Sequence, residues 1–231
     1  MYQNTVAIKT KTRDEIAQAY SSDPWWYDLR GFMILSFSYR ETLWSQISFF
    51  GSNFGEVHLE AAIGTGTLLD IILKYKKLMR RSIPRIIGFD YAERMLNGAR
   101  KRFKNNKSVE LIRADVAKLP YKENYFDTIN IANAIHCFPD VASALKEIHR
   151  VLKADGTLAL NTLLYPDSKN PLNIISIKIN NWGIKKGILF TPYHSDEIKT
   201  LLDIIGFRIV YEKRKGNVLN VVAKKKVEVG V

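Results

Sequence analysis

Residues 60–66 read Glu60-Ala61-Ala62-Ile63-Gly64-Thr65-Gly66, a glycine turn placed directly after an apolar run and directly before a helical one. Glycines there let the backbone approach a ligand closely, and the helix that follows aims its unpaired N–H groups at the same place. Further along, Ile86-Ile87-Gly88-Phe89-Asp90 closes a second apolar run on a carboxylate, and Arg113-Ala114-Asp115-Val116 closes a third on another. A carboxylate at a strand tip beside a glycine turn can accept both hydroxyls of a ribose. A fourth run leaves through Asn133-Ala134-Ile135-His136-Cys137-Phe138, bringing an amide and an imidazole to the same edge. His136 is the best-placed general base and His194 a second. Cys137 has no helix N-terminus or cation to lower its pKa, so it reads as a buried thiol.

These groups can meet only if the runs that carry them are parallel strands. Residues 57–63, 85–90, 109–115 and 126–132 are apolar or β-branched as buried strands are, and residues 68–77, 92–103 and 142–152 between them repeat at helical spacing. A fifth strand over 156–164 is expected after the turn signal Ala154-Asp155-Gly156, and a helix capped by Ser195 runs to Gly206. Strands over 207–214 and 218–224 are joined at Lys215-Gly216-Asn217 as a hairpin. The pattern predicts an α/β fold: a Rossmann-like, seven-stranded, mostly parallel sheet with helices on both faces and a C-terminal antiparallel hairpin. Such sheets bind ligands in the crevice at the carboxyl ends of their strands. The whole of 1–231 reads as one domain, with an N-terminal helical cap (1–55), a cofactor-binding core (56–165), a lid insert (166–194) and a C-terminal helix and hairpin (195–231).

Composition narrows the setting. The chain has 231 residues, 46% hydrophobic and 25% charged, with one cysteine, and its start lacks the apolar core of a secretion signal. A cytoplasmic location is expected. The net charge is +12, and the stretch from Lys74 to Lys107 holds twelve bases against Asp90 and Glu93. Most of these bases fall late in two predicted helices, where the helix dipole favours them. That places a basic face opposite the crevice, solvated or available for peripheral contact with an anionic membrane or nucleic acid.

The order of these motifs resembles the class I S-adenosylmethionine-dependent methyltransferases across roughly residues 20–225. Residues 60–66 look like that family's first motif and Asp90 like its ribose-gripping acid. Residues 114–121 resemble its "D-x-x-x-L-P-F" signature, in which the acid and its neighbour contact adenine, so Asp115 and Val116 inherit that role. Asn124-Tyr125-Phe126-Asp127 matches "S-F-D", and residues 145–153 match "L-x-E-x-x-R-V-L-K". Tyr27-Asp28-Leu29, Ser36-Phe37, Tyr39-Arg40 and Trp44 resemble the N-terminal helix of the quinone-biosynthesis C-methyltransferases, although Arg30-Gly31-Phe32 breaks the match and Trp44 lies two residues late. The resemblance implies S-adenosylmethionine as cofactor, no metal, and a binding set of Tyr27, Arg40, Glu60, Ala62, Gly64, Gly66, Asp90, Tyr91, Met95, Asp115, Val116 and Asn133. An aromatic face such as Tyr27 suits a sulfonium.

One departure is Ala62, where the family has glycine. The strand end is expected to be ordinary extended backbone there, with the methyl only narrowing the approach. The acceptor is expected to be a small aromatic or lipophilic molecule. Residues 15–50 and 165–194 would close over the crevice and line an apolar pocket through Trp25, Trp26, Phe32, Met33, Leu35 and Phe37 on one side. Leu172, Ile174, Ile175, Ile177, Trp182 and Phe190 would line the other. A nucleic-acid (RNA) methyltransferase and a non-catalytic scaffold are the alternatives. Nucleic acid is disfavoured because Asn133-Ala134-Ile135-His136 replaces the N/D-P-P-Y loop of amino-base enzymes and little chain remains for a base-flipping channel. A dehydrogenase would want a third glycine where Leu69 stands, and the Tyr165/Lys169 spacing of short-chain reductases is interrupted by Pro166.

Overall fold

The chain turns on two glycines, Gly64 and Gly66, where the first strand hands over to a helix at one edge of a single sheet. The computed structural model describes residues 39–166, 173–186 and 193–226. Strands β1 (Val57–Ala61), β2 (Arg85–Asp90), β3 (Val109–Arg113), β4 (Phe126–Ile131) and β5 (Leu152–Leu163) run parallel, and β6 (Phe207–Lys215) and β7 (Val218–Lys225) close the sheet antiparallel. The spatial order is β3-β2-β1-β4-β5-β7-β6. The order reverses between β1 and β4, so the switch point where open α/β sheets bind ligands lies above Ala61 and Ile131, which are register partners. The seven-stranded sheet with its terminal hairpin is the one the sequence predicts.

Helices α1 (Leu43–Gly51), α2 (Thr67–Leu78) and α3 (Glu93–Arg102) cover one face; α4 (Val141–Val151) and α6 (Ser195–Ile205) cover the other. Their apolar stripes explain this. Ile47 and Phe50 of α1 and Ile72 of α2 bury against Ala159, while Leu145 and Ile148 of α4 and Ile198 and Leu202 of α6 bury against Leu158, Leu160 and Val221. Successive residues of β5 thus face opposite layers, as pleating requires. Asp140 caps α4 by accepting from the Ser143 N–H at 3.0 Å.

Three local expectations change. Ala154-Asp155-Gly156 is not a turn between helix and strand, because α4 passes straight into β5 and those residues form a bulge in it. A step of two residues along β4, from Phe126 to Thr128, is matched by a step of five along β5, from Leu152 to Thr157, and the surplus is looped out. A Cβ on Gly156 would lie 2.9 Å from the Asp127 carbonyl oxygen, which is why glycine closes the bulge. Ser195 is the first residue of α6 and not its cap. His194 caps it, with Glu197 accepting from the His194 N–H at 2.8 Å in a reciprocal box. The connection after β5 contains a regular helix, α5 (Asn173–Lys186), and its ends are stitched by Tyr165 N–H to Tyr193 O (3.1 Å) and Tyr193 N–H to Leu163 O (2.9 Å).

Candidate active site

The turn after β1 is built from left-handed residues. Ala62, Gly64 and Gly66 have φ of +52°, +59° and +74°. The expectation of extended backbone at Ala62 is therefore incorrect: the chain has already begun its reversal there, and an L-residue sits where only glycine is unstrained. A Cβ on Gly66 would strike the Phe103 ring at 2.5 Å, so that glycine serves helix packing. A Cβ on Gly64 would meet no atom within 4 Å. Gly64 thus faces open space, the cradle that a ligand's backbone approach requires.

Asp90 ends β2 beside that cradle. Its Oδ2 accepts the Gly64 N–H and its Oδ1 the Ala92 N–H, both at 2.8 Å, and the Tyr91 N–H adds a third bond, which leaves the carboxylate acceptor capacity for a ligand hydroxyl. Burial pushes its pKa up to about 6, against the pull of those N–H donors. Next to it the Arg113 guanidinium lies 5.2 Å from the centre of the Tyr91 ring and donates to the Tyr91 carbonyl oxygen, so Tyr91 is held half-buried at the tip. Met95 is 2% exposed on the inner side of α3.

The loop carrying Asp115 and Val116 is shaped locally and clamped from a distance. Asp115 Oδ1 accepts the Ala117 N–H at 3.0 Å, a turn of its own making, and Val116 is buried. Glu147 Oε1 then accepts the Leu119 N–H at 2.7 Å while Arg150 donates to the Leu119 carbonyl oxygen at 3.3 Å. The Arg150 guanidinium also holds the Glu147 carboxyl below its usual range. The "E-x-x-R" spacing therefore has a physical purpose: one turn of α4 grips both polar groups of a buried loop residue.

Glu60 stands near the end of β1, just before the glycine turn. It is buried, and its Oε1 meets Asn130 Nδ2 at 2.9 Å and His58 Nε2 at 3.1 Å; its Oε2 has no partner among the described residues. Asn133 has φ +54° and is fully engaged. Its N–H donates to Asn161 Oδ1 (2.6 Å), its Oδ1 accepts from Asn161 Nδ2 (2.7 Å) and its Nδ2 donates to Gln46 Oε1 (2.7 Å). Gln46 and Asn161 are site residues that the motifs did not reveal. A glutamine in a short helix and an asparagine late in a strand carry no local signature, and only the fold joins them.

His136 lies in a single 3₁₀ turn (Ile135–Cys137) at the same edge. The residue is buried, its Nδ1 has no hydrogen-bond partner, and desolvation lowers its pKa to about 4, so the ring is neutral at ordinary pH. His194 is a helix cap stacked near Tyr165. Arg40 is exposed beside the β6–β7 turn, where the Asn217 N–H donates to the Tyr39 carbonyl oxygen at 3.1 Å. Tyr27, Trp25, Trp26, Phe32, Met33, Leu35, Phe37, Leu172 and Phe190 lie outside the described residues. On α5, Ile174 and Trp182 are exposed, while Asn173 and Ser176 are buried and Asn173 Oδ1 accepts from Asn217 Nδ2 at 3.2 Å. The basic stretch is also less uniform than its sequence: Arg102 turns to the glycine loop, donating to the Thr65 carbonyl oxygen at 3.0 Å.

A family model for the methyltransferase domain matches residues 59–160, the span from the glycine turn to the middle of β5. The demethylmenaquinone methyltransferase of Thermotoga maritima is 30% identical over 172 residues, covering 67% of this chain and 71% of that protein. The chain belongs to the class I S-adenosylmethionine-dependent methyltransferases. The demethylmenaquinone methyltransferase of Staphylococcus carnosus is 38% identical over 71 residues, and the match spans 30% of that protein's length. Among solved structures, an S-adenosylmethionine-dependent methyltransferase from Thermotoga maritima superposes with a TM-score of 0.63 at 20% identity, over 88% of this chain and 99% of that one. The family's cofactor is S-adenosylmethionine, and the residues present fit it. The open Gly64 cradle, the remaining acceptor capacity of Asp90 and the Oε2 of Glu60, unpartnered among the described residues, supply a close approach, a ribose acceptor and an acceptor for an ammonium group.

Proposed function

We propose that this protein transfers a methyl group from S-adenosylmethionine to a small, lipophilic acceptor of the quinone type. The observation that carries the acceptor reading is the match to the Thermotoga demethylmenaquinone methyltransferase over most of both chains. Asp90 would hold the ribose hydroxyls, Glu60 the ammonium, and Asp115 with Val116 the adenine. When bound, the cofactor supplies an electrophilic methyl group on a sulfonium, and the protein's task is in-line placement and exclusion of water.

The chain's own residues supply that placement. Asn133 fixes one wall because the network through Gln46 and Asn161 leaves its side chain no freedom. His136, neutral and with an unpartnered ring nitrogen, is the group that takes up the proton released by a phenolic or quinol acceptor. The test is methyl incorporation from labelled cofactor into a panel holding demethylmenaquinol, simple phenols, tRNA, rRNA and duplex DNA. Incorporation into the quinol or phenols is expected. Faster incorporation into any nucleic acid would overturn the reading, and cofactor binding without any turnover on the quinol would overturn the acceptor class.

A further inference from the structure

A second concavity lies on the other side of α1 from the crevice. It is a groove of about 530 Å³ between α1 and the β6–β7 edge of the sheet, with Ser45, Ser48, Trp44, Tyr211, Lys213 and Asn220 among its lining. Residues 45 and 48 lie three apart on α1 and so share a face, while Lys213 and Asn220 are register partners across the two strands. None of the lining side chains is acidic. Close by is the buried Glu41, whose Oε1 is 3.7 Å from Lys215 Nζ; Lys215 also donates to Thr42 Oγ1 at 3.0 Å.

The groove's polar groups are unspent. Among the described residues, the hydroxyls of Ser45 and Ser48 and the ammonium of Lys213 have no partner. Asn220 is 5% exposed, lines the groove, and its buried Oδ1 has no hydrogen-bond partner among the described residues. A buried amide oxygen left so is costly unless a ligand donor completes it. At the rim, Trp44 is 62% and Tyr211 45% exposed, large amphipathic rings held out to solvent. Such rings concentrate where a protein meets the membrane–water interface.

The geometry points to a binding site for the head group of a hydroxyl-bearing anionic phospholipid. The phosphodiester is met by Lys213, Lys215 and the two serine hydroxyls, a head-group hydroxyl donates to Asn220 Oδ1, and the rim aromatics rest among the acyl chains. Among the described residues no helix is long and apolar enough to cross a membrane, so this site gives surface contact only. It also differs from the basic stretch of α2 and α3 as a place of attachment. Because Gln46, on the same helix, reaches Asn133 in the crevice, attachment through α1 would hold the crevice beside the bilayer. The inference does not depend on the acceptor, and its test involves no methyl transfer.

The experiment is co-sedimentation of the full chain with vesicles of phosphatidylcholine alone or with 30 mol% phosphatidylglycerol (about one lipid in three, a surface on which basic residues count). Binding is expected only to the anionic vesicles. Lys213→Gln with Lys215→Gln should weaken it by about tenfold or more, whereas Lys104→Gln with Lys107→Gln, an equal charge change at exposed positions elsewhere, should weaken it less than about threefold. Ser45→Ala with Ser48→Ala, which alters no charge, should still weaken it about threefold, and it keeps the test intact if loss of Lys215 unfolds the chain. Three results would overturn the site: no preference for anionic vesicles, equal loss from both lysine pairs, or full binding by the serine variant. Binding of glycerol phosphate by calorimetry without vesicle binding would show a soluble-anion site and overturn the lipid assignment.

Discussion

Ala62 gives the sharpest test of how the glycine turn is built, because two substitutions there should move stability in opposite directions. At φ +52° an L-residue's Cβ crowds the following carbonyl, costing about 1–2 kcal/mol. Ala62→Gly removes that strain. Against it stand about 0.4–1 kcal/mol of added unfolded-state entropy and a few tenths of a kcal/mol for one half-buried methyl that packs on the core. The balance is a gain of about 0.5 kcal/mol, or a melting temperature higher by about 1–2 °C for a domain of this size. Ala62→Val places a β-branched side chain in the same conformation and should lose about 1–2 kcal/mol more than alanine does. Were the backbone extended, the signs would reverse, since strands tolerate valine well and glycine poorly. Urea unfolding at constant m-value measures both. A less stable glycine variant beside an unchanged valine variant would refute the left-handed assignment.

Three further predictions follow from the same crevice. Asp90 is charged above a pKa of about 6, so if ribose hydroxyls need the carboxylate, cofactor affinity should be full at pH 7.5 and fall as pH drops through 6, by roughly tenfold at pH 5; Asp90→Ala should weaken binding by about 1.5–3 kcal/mol and flatten the profile, both read by calorimetry. The same raised pKa means the folded state binds the extra proton, so this group's contribution to stability declines as pH rises from about 4 to 6. His136→Ala should lower turnover by roughly a hundredfold with cofactor affinity kept, and a drop of less than about threefold would assign the ring to packing alone. Glu147→Ala leaves the buried Leu119 N–H unpaired and should cost about 1–3 kcal/mol in urea unfolding while weakening cofactor binding, whereas a stable variant with unchanged affinity would show that the clamp does not position the Asp115 loop.

What could be read from the sequence is what has a short-range cause. Strands β1 to β4 carry their own apolar runs, Asp90 and Asp115 stand at the ends of theirs, and Gly64 and Gly66 mark the turn that brings them together. The parallel sheet and its crevice followed from alternation alone. Where competing causes were equally local, the reading slipped. Ala154-Asp155-Gly156 has the composition of a turn, yet the surplus residues are absorbed as a bulge because β4 and β5 must stay paired on both sides of it. Ser195 is a good cap by type, but the bond that the His194 N–H donates to Glu197 Oε2 selects His194.

What remained hidden are the two partners of Asn133, and the reason is geometric. Asn133 itself stands in the predicted set, but Gln46 and Asn161 lie 87 and 28 residues from it in the chain, and each has an ordinary neighbourhood in sequence. Their side-chain bonds exist only once β4 and β5 are paired and α1 is laid across the sheet. Asn133 adopts φ +54°, a conformation asparagine tolerates better than most residues, and this turns its amide towards both partners. The same arrangement makes α1 a shared wall: one side sets the crevice through Gln46, while Ser45 and Ser48 face the groove. With the proposed lipid attachment, a helix in that position would couple where the protein rests to what it can reach. The family model, which spans residues 59–160, does not extend to it.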